Sequence, residues 1–228
     1  MSTEMPPPGR DPAASTQLQI LATEHWSLLA TRSLTYTESL GRVNMFLGIL
    51  SGAVIALALV AQADHFGTTF ITVAILLLSV VLVSGVATVG RLMMLNRDDY
   101  RWIVAMNRLR HGYLDLHPEL ERNFVTSPYD DLAGALQTLG IDRAGGLRLG
   151  SLFQGIQSLP GMLSVIVAAD AGTIAALAAL GFGLAGVYAL LTGAAVFVVA
   201  MGLLARWNRQ AMTRPSPGLD SRFPSPKS

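Results

Sequence analysis

Asp170 is the ionisable residue whose setting in the sequence most suggests chemistry. It lies near the centre of the third predicted span, at about 160–180, in the apolar stretch Pro160–Ala205, which contains no other charged residue. In such a setting a carboxyl group is expected to be neutral and to donate a hydrogen bond to an oxygen at similar depth. Ser79 and Thr192 are the nearest hydroxyls in estimated depth. Asp170 is therefore a candidate intramembrane polar site, serving either a proton or cation or a structural contact between helices.

A second group of polar residues follows the second apolar run. Four arginines form a candidate cytoplasmic face for anionic head groups or phosphorylated ligands: Arg97, Arg101, Arg108 and Arg110. Asp98 and Asp99 dilute this positive charge, and an ordinary solvated helix face is the alternative interpretation. The nearby acids and histidines between His111 and Glu121 match the spacing of no zinc or calcium loop. We predict no metal site, no cofactor and no catalytic residue.

Composition indicates that these residues are held by membrane helices. Of the 228 residues 51% are hydrophobic and 14% are charged, and the mean hydropathy is +0.47, whereas soluble domains carry about 25% charged residues. We predict an all-α, polytopic membrane helix bundle with four transmembrane helices, at about 44–62, 69–90, 160–180 and 184–205. Paired glycines at Gly181–Leu184 favour a turn between the last two. The alternative is a turn at Asp170–Gly172 with the third span at about 149–169.

The basic residues predict how the chain is oriented. Of sixteen Lys and Arg residues, three precede the first span, eight lie between Arg91 and Arg148, and five follow the fourth span. The short connections at 63–68 and 181–183 contain none. Because basic residues concentrate in cytoplasmic loops, we predict that both termini and the central segment are cytoplasmic. The net charge of +1 argues against nucleic acid as a partner.

The first two spans are expected to continue into the cytoplasm as an antiparallel two-helix stalk. With a turn near Asp64–Gly67, the numbers of facing residues sum to about 130. This register predicts three ion pairs: Glu38 with Arg91, Arg32 with Asp98 and Asp99, and Glu24 with Arg108. Exposed pairs contribute about 0–1 kcal/mol each, so their role would be to fix the register. Chance juxtaposition of charges is the alternative.

The chain is thus predicted to have six segments. They are a disordered N-terminal tail at 1–14, a cytoplasmic amphipathic helix at 15–42, a transmembrane hairpin at 43–92, a cytoplasmic helical segment at 93–159, a second transmembrane hairpin at 160–206 and a disordered C-terminal tail at 207–228. Ser127 is predicted to cap a short helix that ends at Gly140. Gly145, Gly150 and Leu152-Phe153 are predicted to form an interfacial approach to the third span.

Two stretches carry a resemblance. They are EHWSLLATRSL at Glu24–Leu34 and AMNRLR at Ala105–Arg110. Both resemble stretches in uncharacterised bacterial four-span membrane proteins of similar length, and the likeness covers most of 18–206. The resemblance implies a bacterial cytoplasmic membrane and four spans, but no activity, cofactor or catalytic residue.

We therefore predict a non-enzymatic scaffold, sensor or regulator in the lipid bilayer. Its cytoplasmic helices would bind a membrane or cytoplasmic protein or a second copy of the chain, because the external connections are too short to bind anything large. Small residues four apart, Gly48 with Gly52 and Ala189 with Gly193, are suited to close helix packing within or between chains. The alternatives are a small oligomeric transporter or channel using Asp170 and a lipid-modifying enzyme using the arginines and His111.

Overall fold

The computed structural model describes residues 12–140, 158–213 and 219–226, and within these ranges the chain is all-α with no strand. The helices are α1 (Pro12–Asp64), α2 (Thr68–Leu116), a 3-10 helix (Pro118–Asn123), α3 (Leu132–Thr138), α4 (Leu159–Gly181) and α5 (Gly186–Thr213). Helices α1, α2, α4 and α5 are long and apolar enough to cross a membrane. The prediction of four such helices is confirmed. Predictions for 1–11 and for the approach at 145–153 lie outside the described residues.

The chain divides into two compact units. The polar unit contains Met1–Thr35, Asp98–Gly145 and Ser216–Ser228, and the membrane unit contains Tyr36–Arg97 and Gly146–Pro215. Helices α1 and α2 each contribute residues to both units. The predicted spans at 44–62 and 69–90 fall within the part of α1 and α2 that belongs to the membrane unit.

The turn between α1 and α2 lies where the sequence placed it. His65 and Phe66 have φ angles of 46° and 62°, and the Gly67 amide donates to the Asp64 carbonyl at 2.9 Å. The Asp64 carboxylate then accepts a hydrogen bond from the Phe70 amide at 2.7 Å. A Cβ at residue 67 would lie 2.8 Å from Asp64 Oδ2 and 3.0 Å from the Asp64 carbonyl oxygen, so a side chain there would crowd the turn.

The turn between α4 and α5 also follows the predicted position. Helix α4 ends at Gly181, Gly183 has a φ of +82°, and α5 begins at Gly186. Asp170 and Gly172 lie inside α4, which overturns the alternative turn at Asp170–Gly172. At its other end α4 is capped by Ser158, whose hydroxyl accepts from the Gly161 amide at 3.2 Å.

Close helix contacts at glycines hold the membrane unit together. A Cβ at Gly85 would lie 2.6 Å from Val167 Cγ2 and 2.9 Å from the ring of Phe46, so α2 approaches both α1 and α4 there. Gly172 and Gly193 bring α4 and α5 together, since a Cβ at either would lie 2.8 Å from the carbonyl oxygen of the other. Gly193 therefore packs within the chain.

Gly48 and Gly52 differ from these packed glycines. No described atom lies within 4 Å of a Cβ built at either position. They lie on the exposed side of α1. Their predicted role in close packing is not realised within the described part of the chain.

In the polar unit α3 begins later than the sequence suggested. Its N-cap is Asp131, whose carboxylate accepts from the Gly134 amide at 2.7 Å. Ser127 instead accepts a hydrogen bond from the Tyr129 amide at 3.2 Å, within the preceding loop. A Cβ at Gly134 would lie 2.1 Å from the Tyr129 carbonyl oxygen. Glycine therefore lets α3 lie directly against this loop and leaves Asp130 on the loop.

Candidate functional site

Two of the predicted ion pairs are formed. In the membrane unit Arg91 donates to both carboxylate oxygens of Glu38 at 3.0 and 3.2 Å, and Arg42 shares this carboxylate at 2.9 Å. In the polar unit Arg32 donates to both oxygens of Asp99 at 2.7 and 3.4 Å. The pairs Glu38–Arg91 and Arg32–Asp99 are thus formed as the antiparallel register of α1 and α2 predicts. Asp98 instead lies 3.8 Å from Arg101.

The third predicted pair, Glu24 with Arg108, is not formed. Arg108 Nε donates to Asp130 Oδ2 at 2.6 Å, and the side chain of Asp130 is fully buried. A buried carboxylate without a partner is much more costly than an exposed one, because it has lost its hydration. Arg108 is therefore held by Asp130.

Three of the four arginines predicted as an anionic-ligand face contact different side chains of the polar unit. Arg101 lies 3.8 Å from Asp98, Arg108 pairs with Asp130, and Arg110 donates to Asn107. Burial, with a smaller contribution from the charge of Arg32, lowers the pKa of Arg110. Arg108 and Arg110 therefore serve contacts within the polar unit. Arg97 belongs to the membrane unit.

Asn107 fixes the loop that carries Asp130. Its side chain is fully buried, and its Nδ2 donates to the Tyr129 carbonyl at 2.8 Å. Its Oδ1 accepts from Arg110 at 2.6 Å and from Thr138 at 3.1 Å. The side-chain amide of Asn107 therefore links α2 to both the loop and the end of α3. These bonds fix the position of Asp130, which follows Tyr129 in the loop.

Asp130 binds a segment of the chain's own C-terminal region, residues 219–226, here called the C-terminal segment, which bends at Arg222 and Phe223. Its Oδ1 accepts from Ser221 Oγ at 2.7 Å and from the Phe223 amide at 2.8 Å. Its Oδ2 accepts from the Arg222 amide at 2.9 Å, besides the bond from Arg108. The Asp130 amide returns a hydrogen bond to the Phe223 carbonyl at 3.1 Å. Four donors thus satisfy this buried carboxylate.

Asp131 holds the end of the same segment. Its Oδ1 caps α3, while its Oδ2 accepts from both the amide and the hydroxyl of Ser225. The amide contact measures 3.0 Å. Adjacent carboxylates thus contact serines four residues apart, and the bend at Arg222 and Phe223 lies between these two serines.

Side chains of α2 and α3 complete the contact. Phe223 stacks on His111 with ring centroids 4.0 Å apart, and Leu219 packs against a small cluster formed by Ile103, Val104 and Ala135. A further hydrogen bond of 2.5 Å runs from Arg108 to the Asp220 carbonyl. We call the surface formed by Arg108, His111, Asp130 and Asp131 the tail site.

Both acids of the tail site are held in the ionised form. Burial opposes ionisation of Asp130, but the hydrogen bonds from Arg222, Ser221, Arg108 and Phe223 outweigh it and lower its pKa to about 2. Burial is likewise outweighed by the bonds from Ser225 and Gly134, which lower the pKa of Asp131. Burial and then the charges of Asp131 and Asp130 raise the pKa of Tyr100.

The tail site was not predicted from the sequence, which indicated a disordered tail over 207–228. In the structure α5 extends to Thr213, and residues 219–226 lie on the polar unit. Leu219 and Phe223 are the available signal, because they are large apolar residues in a stretch rich in proline and serine. Such residues are typical anchors of short peptide motifs.

Asp170 is the second candidate site, and it lies in the membrane unit. The residue is 7% exposed, and neither of its carboxylate oxygens has a hydrogen-bond partner among the described residues. The predicted partners donate within their own helices: Ser79 to the Ile75 carbonyl at 2.6 Å and Thr192 to the Tyr188 carbonyl at 2.9 Å. The structure therefore does not bring Asp170 together with either hydroxyl.

No group of three or more acids, histidines or cysteines suited to a metal ion is present in the described ranges. His117 contacts Glu119 at 2.9 Å, and His111 lies 3.7 Å from Asp115. Comparison with family models, with curated proteins and with solved structures finds no match to this chain.

The substitution D130N tests the tail site directly. It preserves the size of the side chain but removes the charge and replaces one acceptor oxygen with an amide donor. Loss of a charged hydrogen bond costs about 1.5–3 kcal/mol, so amide hydrogen exchange at Arg222 and Phe223 should accelerate by about 10- to 100-fold. Mass spectrometry of the full chain in nanodiscs measures this. D220N is the matched control, because only the carbonyl of Asp220 makes the contact.

The same measurement has an expected pH dependence. The pKa of Asp130 is lowered from 3.8 to about 2, so its contribution to docking is fully present above its ordinary pKa and is lost as the pH falls through about 2. Protection of the C-terminal segment, corrected for the pH dependence of intrinsic exchange, should stay constant from about pH 8 to 5 and fall below about pH 4. Release between pH 5 and 7 would contradict this assignment.

Proposed function

We propose that this chain is a membrane-anchored regulator or adaptor that binds a peptide segment at its tail site. In this proposal it lies in the bacterial cytoplasmic membrane, with the polar unit in the cytoplasm. The observation that carries it is the buried carboxylate of Asp130, which is satisfied by donors of a bent peptide segment together with Arg108. In the chain as it stands, its own C-terminal segment occupies this site.

The chemistry of the tail site supports a peptide ligand. Two backbone amides and one backbone carbonyl of the C-terminal segment bond to Asp130, and the Ser225 amide bonds to Asp131. Such main-chain bonds provide affinity, while the stacking position on His111 and the two serine contacts provide selectivity. The expected partner is therefore a solvent-accessible segment that can bend in the same way, with an aromatic residue between two hydroxyl-bearing residues.

The charge distribution supports the cytoplasmic placement. All sixteen basic residues lie outside the connections at 63–68 and 181–183, which are the turns between the apolar helices. The positive-inside rule therefore favours both termini and the segment after α2 on the cytoplasmic side. A polar unit there would be available to soluble proteins and to the cytoplasmic parts of other membrane proteins.

Cysteine labelling tests this orientation, because the natural chain contains no cysteine. Phe66 is 71% exposed in the turn between α1 and α2, and Val125 is 95% exposed in the polar unit. In intact cells a membrane-impermeant maleimide should label F66C and leave V125C unlabelled until the membrane is permeabilised. Labelling of V125C but not of F66C in intact cells would indicate the opposite orientation. Labelling of both would place the turn and the polar unit on the same outer side and contradict the proposed topology.

Peptide binding tests the proposed activity. The probe is a fluorescent synthetic peptide with the sequence of residues 216–228, and the receptor is the full chain in nanodiscs carrying S221A and F223A. These substitutions weaken the chain's own segment and leave the tail site intact. The probe should bind this variant about tenfold or more tightly than it binds the natural chain, whose tethered segment competes at high effective concentration.

The control for this experiment adds D130N to the same variant. Binding should then fall by at least about tenfold, because the probe loses its central acceptor. Failure of the probe to bind the S221A/F223A chain, or equal binding with and without D130N, would refute the proposed function.

Asp170 supports a second candidate function, that of a small oligomeric transporter of protons or cations. A buried acid within an apolar helix is costly and often belongs to an ion pathway, and the carboxyl of Asp170 has no described partner that would account for it structurally. By contrast, the lipid-modifying alternative receives no support, because Arg108 and His111 contact the C-terminal segment.

Flux measurements separate this candidate from the first. Vesicles containing the full chain and a pH-sensitive dye should show proton flux that D170N removes and S79A retains, because the Ser79 hydroxyl bonds within its own helix. If the natural chain produces no flux of protons or of monovalent cations, or if D170N leaves the flux unchanged, transport through Asp170 is excluded.

A further inference from the structure

We propose that Ser221 is a phosphorylation site whose modification expels the C-terminal segment from the tail site, and that Ser225 is a second site of the same kind. The inference rests on the proposed function, because it treats the docked segment as a releasable occupant of a peptide site. It adds the event that opens the site to a partner.

Hydrogen-bond direction is the first reason. Ser221 Oγ lies 2.7 Å from Asp130 Oδ1, and since an ionised carboxylate only accepts, the hydroxyl must donate. A phosphate ester at Oγ has no hydrogen to donate. The favourable contact would become an oxygen–oxygen contact without a proton between the two atoms. The Ser225 hydroxyl stands in the same relation to Asp131.

Charge is the second reason. A phosphoserine carries a charge of about −1.5 to −2 near neutral pH, and it would be added beside two carboxylates. The Asp130 side chain has no solvent exposure, so water screens this repulsion weakly. Arg108 is the cation that contacts Asp130, and it already donates to that carboxylate and to the Asp220 carbonyl. The phosphate would therefore be repelled by the acids that hold the unmodified segment.

Accessibility is the third reason. Ser221 and its neighbour Arg222 are exposed residues in a segment with neither helix nor strand among its described residues, so no regular element has to unfold before a modifying enzyme binds it. The required enzyme is a protein kinase that uses a nucleoside triphosphate. Ser221 Oγ would attack the γ-phosphorus, the bond to the β-phosphate oxygen would break, and the hydroxyl proton would pass to a base of the kinase. The products are phosphoserine and the nucleoside diphosphate.

The test uses the full chain with phosphoserine inserted at position 221 through an expanded genetic code. Amide hydrogen exchange at Arg222 and Phe223 should accelerate by about 100-fold or more in nanodiscs, since the hydrogen bond to the ionised Asp130 is lost and a repelling charge is added. S221A is the matched control. It removes the same charged hydrogen bond without adding charge, so its acceleration should be only about tenfold.

A double-substitution cycle separates repulsion from simple loss of contact. In a D130N background, phosphoserine at 221 should accelerate exchange by less than about threefold further, because its main repelling group is gone. An equal effect of phosphoserine and S221A in the natural chain would overturn the inference. If phosphoserine at 221 accelerates exchange equally in the natural chain and in D130N, repulsion by Asp130 is also excluded as the mechanism.

Failure of this inference is distinguishable from failure of the proposed function. Binding of the 216–228 probe to the S221A/F223A chain concerns the tail site alone. A chain that binds the probe but retains its segment when Ser221 is phosphorylated refutes only the switch. Peptide mapping of the chain isolated from its native membrane should also find phosphate at Ser221 or Ser225, and its absence from growing and starved cells would count against the switch.

Discussion

The polar unit depends on a single requirement: the buried carboxylate of Asp130 must be satisfied. A carboxylate removed from water has lost its hydration and needs several donors in return. Arg108 supplies one of them, and the C-terminal segment supplies the other three through two amides and a hydroxyl. Release of the segment therefore requires water or another peptide to replace those donors. This requirement makes the tail site selective for a chain that can direct consecutive amides to one carboxylate.

The membrane unit is organised by shape instead of charge. Its helices approach most closely at glycines, with Gly85 against Phe46 and Val167 and with Gly172 against Gly193. A bilayer provides no hydrophobic force between apolar helices, so such close backbone contacts and shape complementarity must hold the bundle together. The Glu38–Arg91 pair in this unit has both side chains more than one-third exposed. It fixes the register of α1 against α2 more than it stabilises them.

Much of the fold could be predicted from the sequence, because apolar length and glycine turns are local signals. The register in which facing residues of α1 and α2 sum to about 130 predicted contacts correctly where both partners lie on these two helices, as for Arg32 with Asp99. It did not work for Arg108, because the partner, Asp130, comes from a loop that no two-helix register includes. The docked segment was missed for a related reason. Most of its bonds to Asp130 come from backbone atoms, which leave no pattern in the residue types.

The covalent link between the C-terminal segment and the tail site determines how a partner can gain access. A peptide that belongs to the same chain as its site competes at an effective concentration that can reach the millimolar range, and the C-terminal segment is such a peptide. A free peptide of equal intrinsic affinity would be outcompeted at micromolar concentrations. Access therefore requires either a partner with additional contacts or a change that weakens the segment itself. The second route needs no tighter partner, and the serines facing Asp130 and Asp131 are the positions where the smallest chemical change would produce it.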